Sequence, residues 1–279
     1  MDQFLSRPEI QSAVLPFLIG LLLSIGLRKL TVSAWIWAVF AAFLVAVGLI
    51  NGLTLTPLTG TRKIIIMILA SFFVVGFIHH LIHGANLRRS ALSIYCLLGL
   101  LWVFWKVMAR MDGVAMTLSL AGAVGLVLWL LWAFDRIGNN DSQLHGAGFS
   151  LLLGTGLSAT VGASALLGQL ALSLSAASGG VLLAWVISKT DGTSQNSLTG
   201  QVLPYALAAA LLGLAAVIFA RVPWYALVPL ASIPLVTGFV PKTSDIRFIN
   251  ALVTSLPGLF IALAVSFWVW QMGSSGSGY

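Results

Sequence analysis

From Leu144 to Ser188 the chain runs 45 residues without an aspartate, glutamate, lysine or arginine. That length is decisive. As a single α-helix the stretch would reach about 68 Å, roughly twice the hydrocarbon thickness of a bilayer. In water it would have no charged group to face the solvent. It must therefore turn back on itself, and the turn is expected in Gly162-Ala163-Ser164-Ala165-Leu166-Leu167-Gly168, where small residues let two backbones approach.

The same reasoning extends to the whole sequence. Only 8% of residues are charged while 59% are hydrophobic, and mean hydropathy is +1.03. Soluble domains carry about 25% charged residues, so the surplus apolar surface needs lipid as its solvent. The longest polar stretch, Lys189 to Gly200, is too short to fold alone. The expected class is an all-α integral membrane protein in a bacterial inner (plasma) membrane, forming one polytopic domain over residues 1–279.

A span needs about 20 mainly apolar residues. Ten are expected, within a range of nine to eleven: Ile10–Leu27, Thr31–Ile50, Ile64–His83, Ala91–Met108, Val114–Phe134, Gly146–Ala165, Gly168–Ser188, Val202–Ala220, Trp224–Val240 and Ile249–Trp270. The first is read as a retained span, because it lacks the charged start and small-residue cleavage site of a signal peptide. The ninth is short and holds Pro229 and Pro234, so it should be kinked or broken. All ten tryptophans fall toward expected helix ends, the positions that suit the membrane interface.

Loops are short, and the chain divides near Asn139-Asn140 into halves 1–139 and 140–279 of five spans each. An odd number of spans per half makes any internal repeat an inverted one. Size and plan are similar to the drug/metabolite transporter superfamily, a likeness of architecture without a shared motif.

Net charge is +7. The basic residues sit as pairs beside apolar runs, Arg28-Lys29, Arg62-Lys63 and Arg88-Arg89, which points to anionic lipid headgroups and topology setting rather than nucleic acid. With ten spans both termini share one side, which carries six basic residues against eight opposite; this bias favours termini outside. Cys96 is the lone cysteine, so no disulfide forms within the chain.

Three of the four histidines lie in Gly76–Ser90, "GFIHHLIHGANLRRS". On a helix His79, His80 and His83 fall within about 100° of arc. His145 opens the sixth helix on the same side. A metal or haem held by His79, His83 and His145 is one reading; the simpler one is a half-polar helix end at the headgroups. Four histidines are too few for the di-iron boxes of membrane desaturases.

Val161 to Gly168 resembles the serine motif of rhomboid intramembrane proteases over eight residues. That resemblance implies Ser164 as nucleophile and a histidine base on a later helix, but no histidine follows Ser164. No other enzyme signature is present, so no catalytic residue is expected. Gly154, Ser158 and Gly162 repeat every four residues, which suits close helix packing. Alternatively Thr155, Ser158, Thr160 and Gln169, with Pro229 and Pro234, line a polar path for a solute. No acidic residue sits at mid-span, which argues against an antiporter built on a buried carboxylate.

Three functions follow. The first is a permease or exporter of a small solute, with a path between halves. The second is a non-catalytic structural subunit or assembly factor, docking membrane-protein partners or a second copy. The third is a metal- or haem-binding protein built on the histidines.

Overall fold

The computed structural model describes residues 7–27, 34–52, 54, 56–82, 84–137, 140–162, 164–187, 203–241 and 246–275. Arg28-Lys29, Lys242, Asp191, Asp245, His83, Ala163 and the polar stretch 189–200 lie outside these residues.

All regular structure among them is helical. We number the helices α1 Ile10–Leu27, α2 Ala34–Ile50, α3 Gly60–Leu81, α4 Ala85–Met108, α5 Gly113–Ile137, α6 Asp141–Val161, α7 Ala165–Ile187, α8 Leu203–Phe219, α9 Leu227–Gly238 and α10 Arg247–Ser275. The first turns of α1 are π-helical, and a 3₁₀ turn, Trp224–Ala226, leads into α9. Among the described residues seven helices are long and apolar enough to cross a membrane; α2, α8 and α9 are shorter but apolar. The outer surface carries large apolar side chains such as Leu22, Phe77, Leu98, Val114 and Phe260. This is the surface of an α-helical integral membrane protein, because water would not tolerate it.

The charge-free run turns back where small residues allow it. Helix α6 stops at Val161 and α7 starts at Ala165. The Ser164 hydroxyl accepts from the Leu167 N–H at 3.5 Å, capping one of the helix-start donors that would otherwise lack a partner. Arg221 ends α8 in the left-handed region at φ 56°. The Ala216 carbonyl receives both the Ala220 N–H at 3.0 Å and the Val222 N–H at 3.2 Å, so the chain end folds back over the last turn of α8.

Helix α6 is the hub. It packs on α7, α8, α9 and α10. Contacts set the directions: Phe149 meets Gly179 and Thr160 meets Gly168, so α6 and α7 are antiparallel. Gly146 faces Ser255 and Gly154 faces Ala262, so α6 and α10 are parallel. Gly148 faces Tyr205 and Gly162 faces Val222, so α6 and α8 are parallel as well. Helix α8 is apolar on every face and buried from Leu203 to Leu212, as a helix without a polar side must be.

Proline placement in α9 has two different outcomes. Pro229 stands in the first turn, where its missing N–H would have had no partner. Pro234 sits inside the helix, which nevertheless continues to Gly238. A proline there cannot donate to the turn before it. In that turn the Ala231 carbonyl receives the Trp129 indole N–H from α5 at 2.9 Å.

Several tryptophans pair with cations. Cations lie over three of their rings near helix ends: Lys63 over Trp102 at 5.2 Å, Arg136 over Trp132 at 4.9 Å and Arg247 over Trp185 at 5.7 Å. Trp35 departs from this pattern and turns inward.

Candidate functional site

The inward turn of Trp35 leads to a polar and aromatic cluster inside the bundle. Its centre is His145, in the second turn of α6. The start of α6 is held by two side-chain bonds. The Ser142 hydroxyl donates to the Asn140 side-chain oxygen at 2.8 Å, and the Gln143 amide to the Val240 carbonyl beyond α9 at 2.7 Å. With that turn fixed, His145 points inward and is only 2% exposed.

His145 Nδ1 lies 3.1 Å from the Tyr205 hydroxyl of α8, a bond whose donor depends on the imidazole tautomer. Gly148 makes room for the phenol. A Cβ at that position would stand 3.0 Å from the Tyr205 ring. The Trp35 indole meets His145 edge-on at 4.5 Å and stacks parallel to Tyr205 at 6.2 Å. Phe134 of α5 stacks on Tyr205 at 6.4 Å. From α7 the Ser178 hydroxyl donates to the His145 carbonyl at 3.2 Å, which brings α7 to the same cluster.

Helices α2, α5, α6, α7 and α8 thus meet at one cluster. Two belong to residues 1–139 and three to residues 140–279. The cluster combines a hydrogen-bonding imidazole and phenol with flat aromatic walls. Those groups can orient a small polar or aromatic molecule.

The other sequence candidates fall elsewhere. Among the described residues no group of three His, Cys, Asp or Glu side chains could hold a metal. His80 is exposed, His79 lies on α3 with its side chain outside the described set, and His83 is outside it altogether. Of the path residues, Thr155 donates to the Leu151 carbonyl at 2.8 Å and Thr160 to the Gly156 carbonyl at 2.9 Å, both within α6. Ser158 is 1% exposed, and its hydroxyl has no hydrogen-bond partner among the described residues. Gln169 is partly buried on α7 and Pro229 partly buried on α9, whereas Pro234 is buried. The spacing of Gly154 and Gly162 serves packing, because a Cβ on Gly154 would meet Leu230 and Ala262 and one on Gly162 would meet Val222 and Ala220. The serine of the rhomboid-like motif, Ser164, is a helix cap.

Sequence reasoning singled out His145 and missed Trp35, Ser178 and Tyr205. One local signal was available. His145 is followed by Gly146 and Gly148, and small residues beside a polar ring on an inner helix leave space for a partner ring. Neither a protein-family model nor a curated protein sequence matches the chain.

Proposed function

We propose that this chain is a ten-span permease or exporter of a small solute in a bacterial inner membrane, and that the His145–Tyr205 cluster is its solute contact. The observation that carries the reading is the burial of a hydrogen-bonding imidazole and phenol where helices of the two halves meet. Intramembrane polar side chains are costly in lipid and mark pathways when they face the bundle interior. Small-solute sites in transporters lie between repeated halves. Under this reading the tightly packed cluster is a closed form that must open for a solute to enter. The short α9, which carries Pro234 inside it and is tied to α5 through Trp129, offers a place where the bundle can yield.

The test is flux in liposomes containing the purified chain, across a panel of small polar and aromatic solutes. Flux of one solute class above that of empty liposomes, reduced in both Tyr205→Phe and His145→Gln, is the expected result. Variants that keep their helical signal and a cooperative unfolding transition but lose flux would assign the cluster to transport. Panel-wide flux equal to that of empty liposomes, with other polypeptides carried on the chain in native mass spectrometry, would replace this reading with that of a non-catalytic subunit.

A further inference from the structure

We propose that the groove between α4 and α5 is a binding site for one acidic phospholipid. The inference rests on the membrane-spanning reading of the chain and is independent of whether it transports a solute. Arg89 near the start of α4 reaches Asp135 near the end of α5 at 2.7 Å, so the two helices are antiparallel and the charged groups gather at one end. Below them lies a cavity of about 220 Å³ whose walls include Leu92, Leu128, Leu131 and Trp132. The groove therefore has a charged mouth and an apolar body, the polarity of a lipid.

The charges at the mouth select the headgroup. Arg136 lies 4.9 Å over the ring of Trp132, which is itself a wall of the groove. Two guanidiniums and one carboxylate are then held at this groove, and the excess is positive. Arg89 gives one nitrogen to Asp135, yet an arginine has five N–H donors in a fork that matches phosphate oxygens. A phosphodiester fits this mouth. A zwitterionic headgroup would add an ammonium beside two arginines, so an acidic lipid is favoured. Leu128 and Trp132 are each 43% exposed on the outer surface, so the groove opens sideways, where a lipid can enter. The apolar walls would take one acyl chain, which a free phosphate could not use.

The experiment titrates the full purified chain in detergent with phosphatidylglycerol, phosphatidylcholine and glycerol 3-phosphate. It reads bound mass by native mass spectrometry, with melting temperature alongside. Phosphatidylglycerol should bind saturably as one molecule, at least about fivefold more tightly than phosphatidylcholine. Arg136→Gln should weaken it about fivefold, the worth of one cation near a headgroup. Leu128→Trp fills the groove without changing charge and should weaken it as well. Arg110→Gln, at the opposite end of α4, should leave binding unchanged. Equal affinity for the two lipids overturns the proposal. Glycerol 3-phosphate binding as well as the lipid would mean an anion site without a lipid groove, and an unaffected Leu128→Trp would remove the acyl-chain assignment. Loss of flux in liposomes with this binding intact would strike only at the permease reading.

Discussion

Replacing Gly20 by alanine tests how closely α1 and α7 approach. A Cβ on Gly20 would lie 2.6 Å from the Ala177 carbonyl oxygen and 3.2 Å from its Cα. An ordinary carbon–oxygen contact needs about 3.3 Å. The helices must therefore part by about 0.7 Å, and the obstructing atoms are backbone, so no rotamer change relieves the clash. A gap of that size forfeits a quarter or more of the dispersion between facing atoms. Overpacking of this kind costs about 1–3 kcal/mol. Against it stands the better helix propensity of alanine, up to about 1 kcal/mol. The net expectation is a loss of about 1–2 kcal/mol. Gly125 on α5 supplies the control, since a Cβ there meets nothing within 4 Å, and Gly125→Ala should be neutral or stabilising by up to about 1 kcal/mol. Unfolding by sodium dodecyl sulfate in mixed micelles, followed by circular dichroism, reads both variants against the wild type. Equal midpoints for Gly20→Ala and Gly125→Ala would refute the close approach. Gly180→Ala crowds the same interface, through Phe17 and Leu21. Its effect should combine with Gly20→Ala less than additively, because helices already parted accept the second methyl more easily.

Two further outcomes concern the polar groups. Tyr205→Phe and His145→Ala, measured singly and together in the same unfolding assay, should show a coupling of about 1 kcal/mol from their shared hydrogen bond; strictly additive losses would mean that the bond contributes nothing. Ser158→Ala should be neutral or stabilising by up to about 1–2 kcal/mol, because it removes a buried hydroxyl without a partner among the described residues. Ser175→Ala, which deletes a 2.8 Å bond to the Phe149 carbonyl, should lose about 1 kcal/mol; the reverse order of these two would contradict the placement of both hydroxyls.

The helices were legible because their cause is local. A charge-free run too long for one span must turn, and Gly162 to Gly168 is the segment in which it does. The prolines of the ninth helix suggested a kink or break, but its continuation through Pro234 could not be read from them. It depends on how α5 and α6 enclose α9, and the Trp129 bond arrives from 102 positions away. The candidate site was legible by half. His145 is conspicuous as a lone polar ring in a long apolar segment, but Tyr205 lies 60 positions further on. Nothing in a single sequence tells which helices share a face. For the same reason Trp35 reads as an interfacial anchor. Its position near a helix end is a local fact, whereas its inward direction follows from α2 packing along α1 and α7, which brings the Trp35 ring to His145 and Tyr205.

The bonds between helices also bear on how a permease of this shape could move. Ser175 and Ser178 of α7 donate to carbonyls of α6, and Ser150 of α6 donates to the Ser255 carbonyl of α10. Gly154 and Gly258 bring α6 and α10 close along the same line. With lipid on the outside there is no hydrophobic drive between helices, so such bonds and backbone approaches are what holds them. They join α6, α7 and α10 into one block. Gly20 and Gly180 add α1 to that block, although α1 belongs to the other half of the sequence. Rocking residues 1–139 as a body against residues 140–279 would have to break this contact. Helix α4 packs mainly on its sequence neighbours α3 and α5 and is not joined to the block in this way. Under the permease reading, the boundary that moves therefore runs beside α3, α4 and α5 rather than at the midpoint of the chain. Phe134 and Trp129 both project from α5, one onto Tyr205 and the other onto the turn before Pro234, so a shift of this one helix would reach the cluster and α9 together.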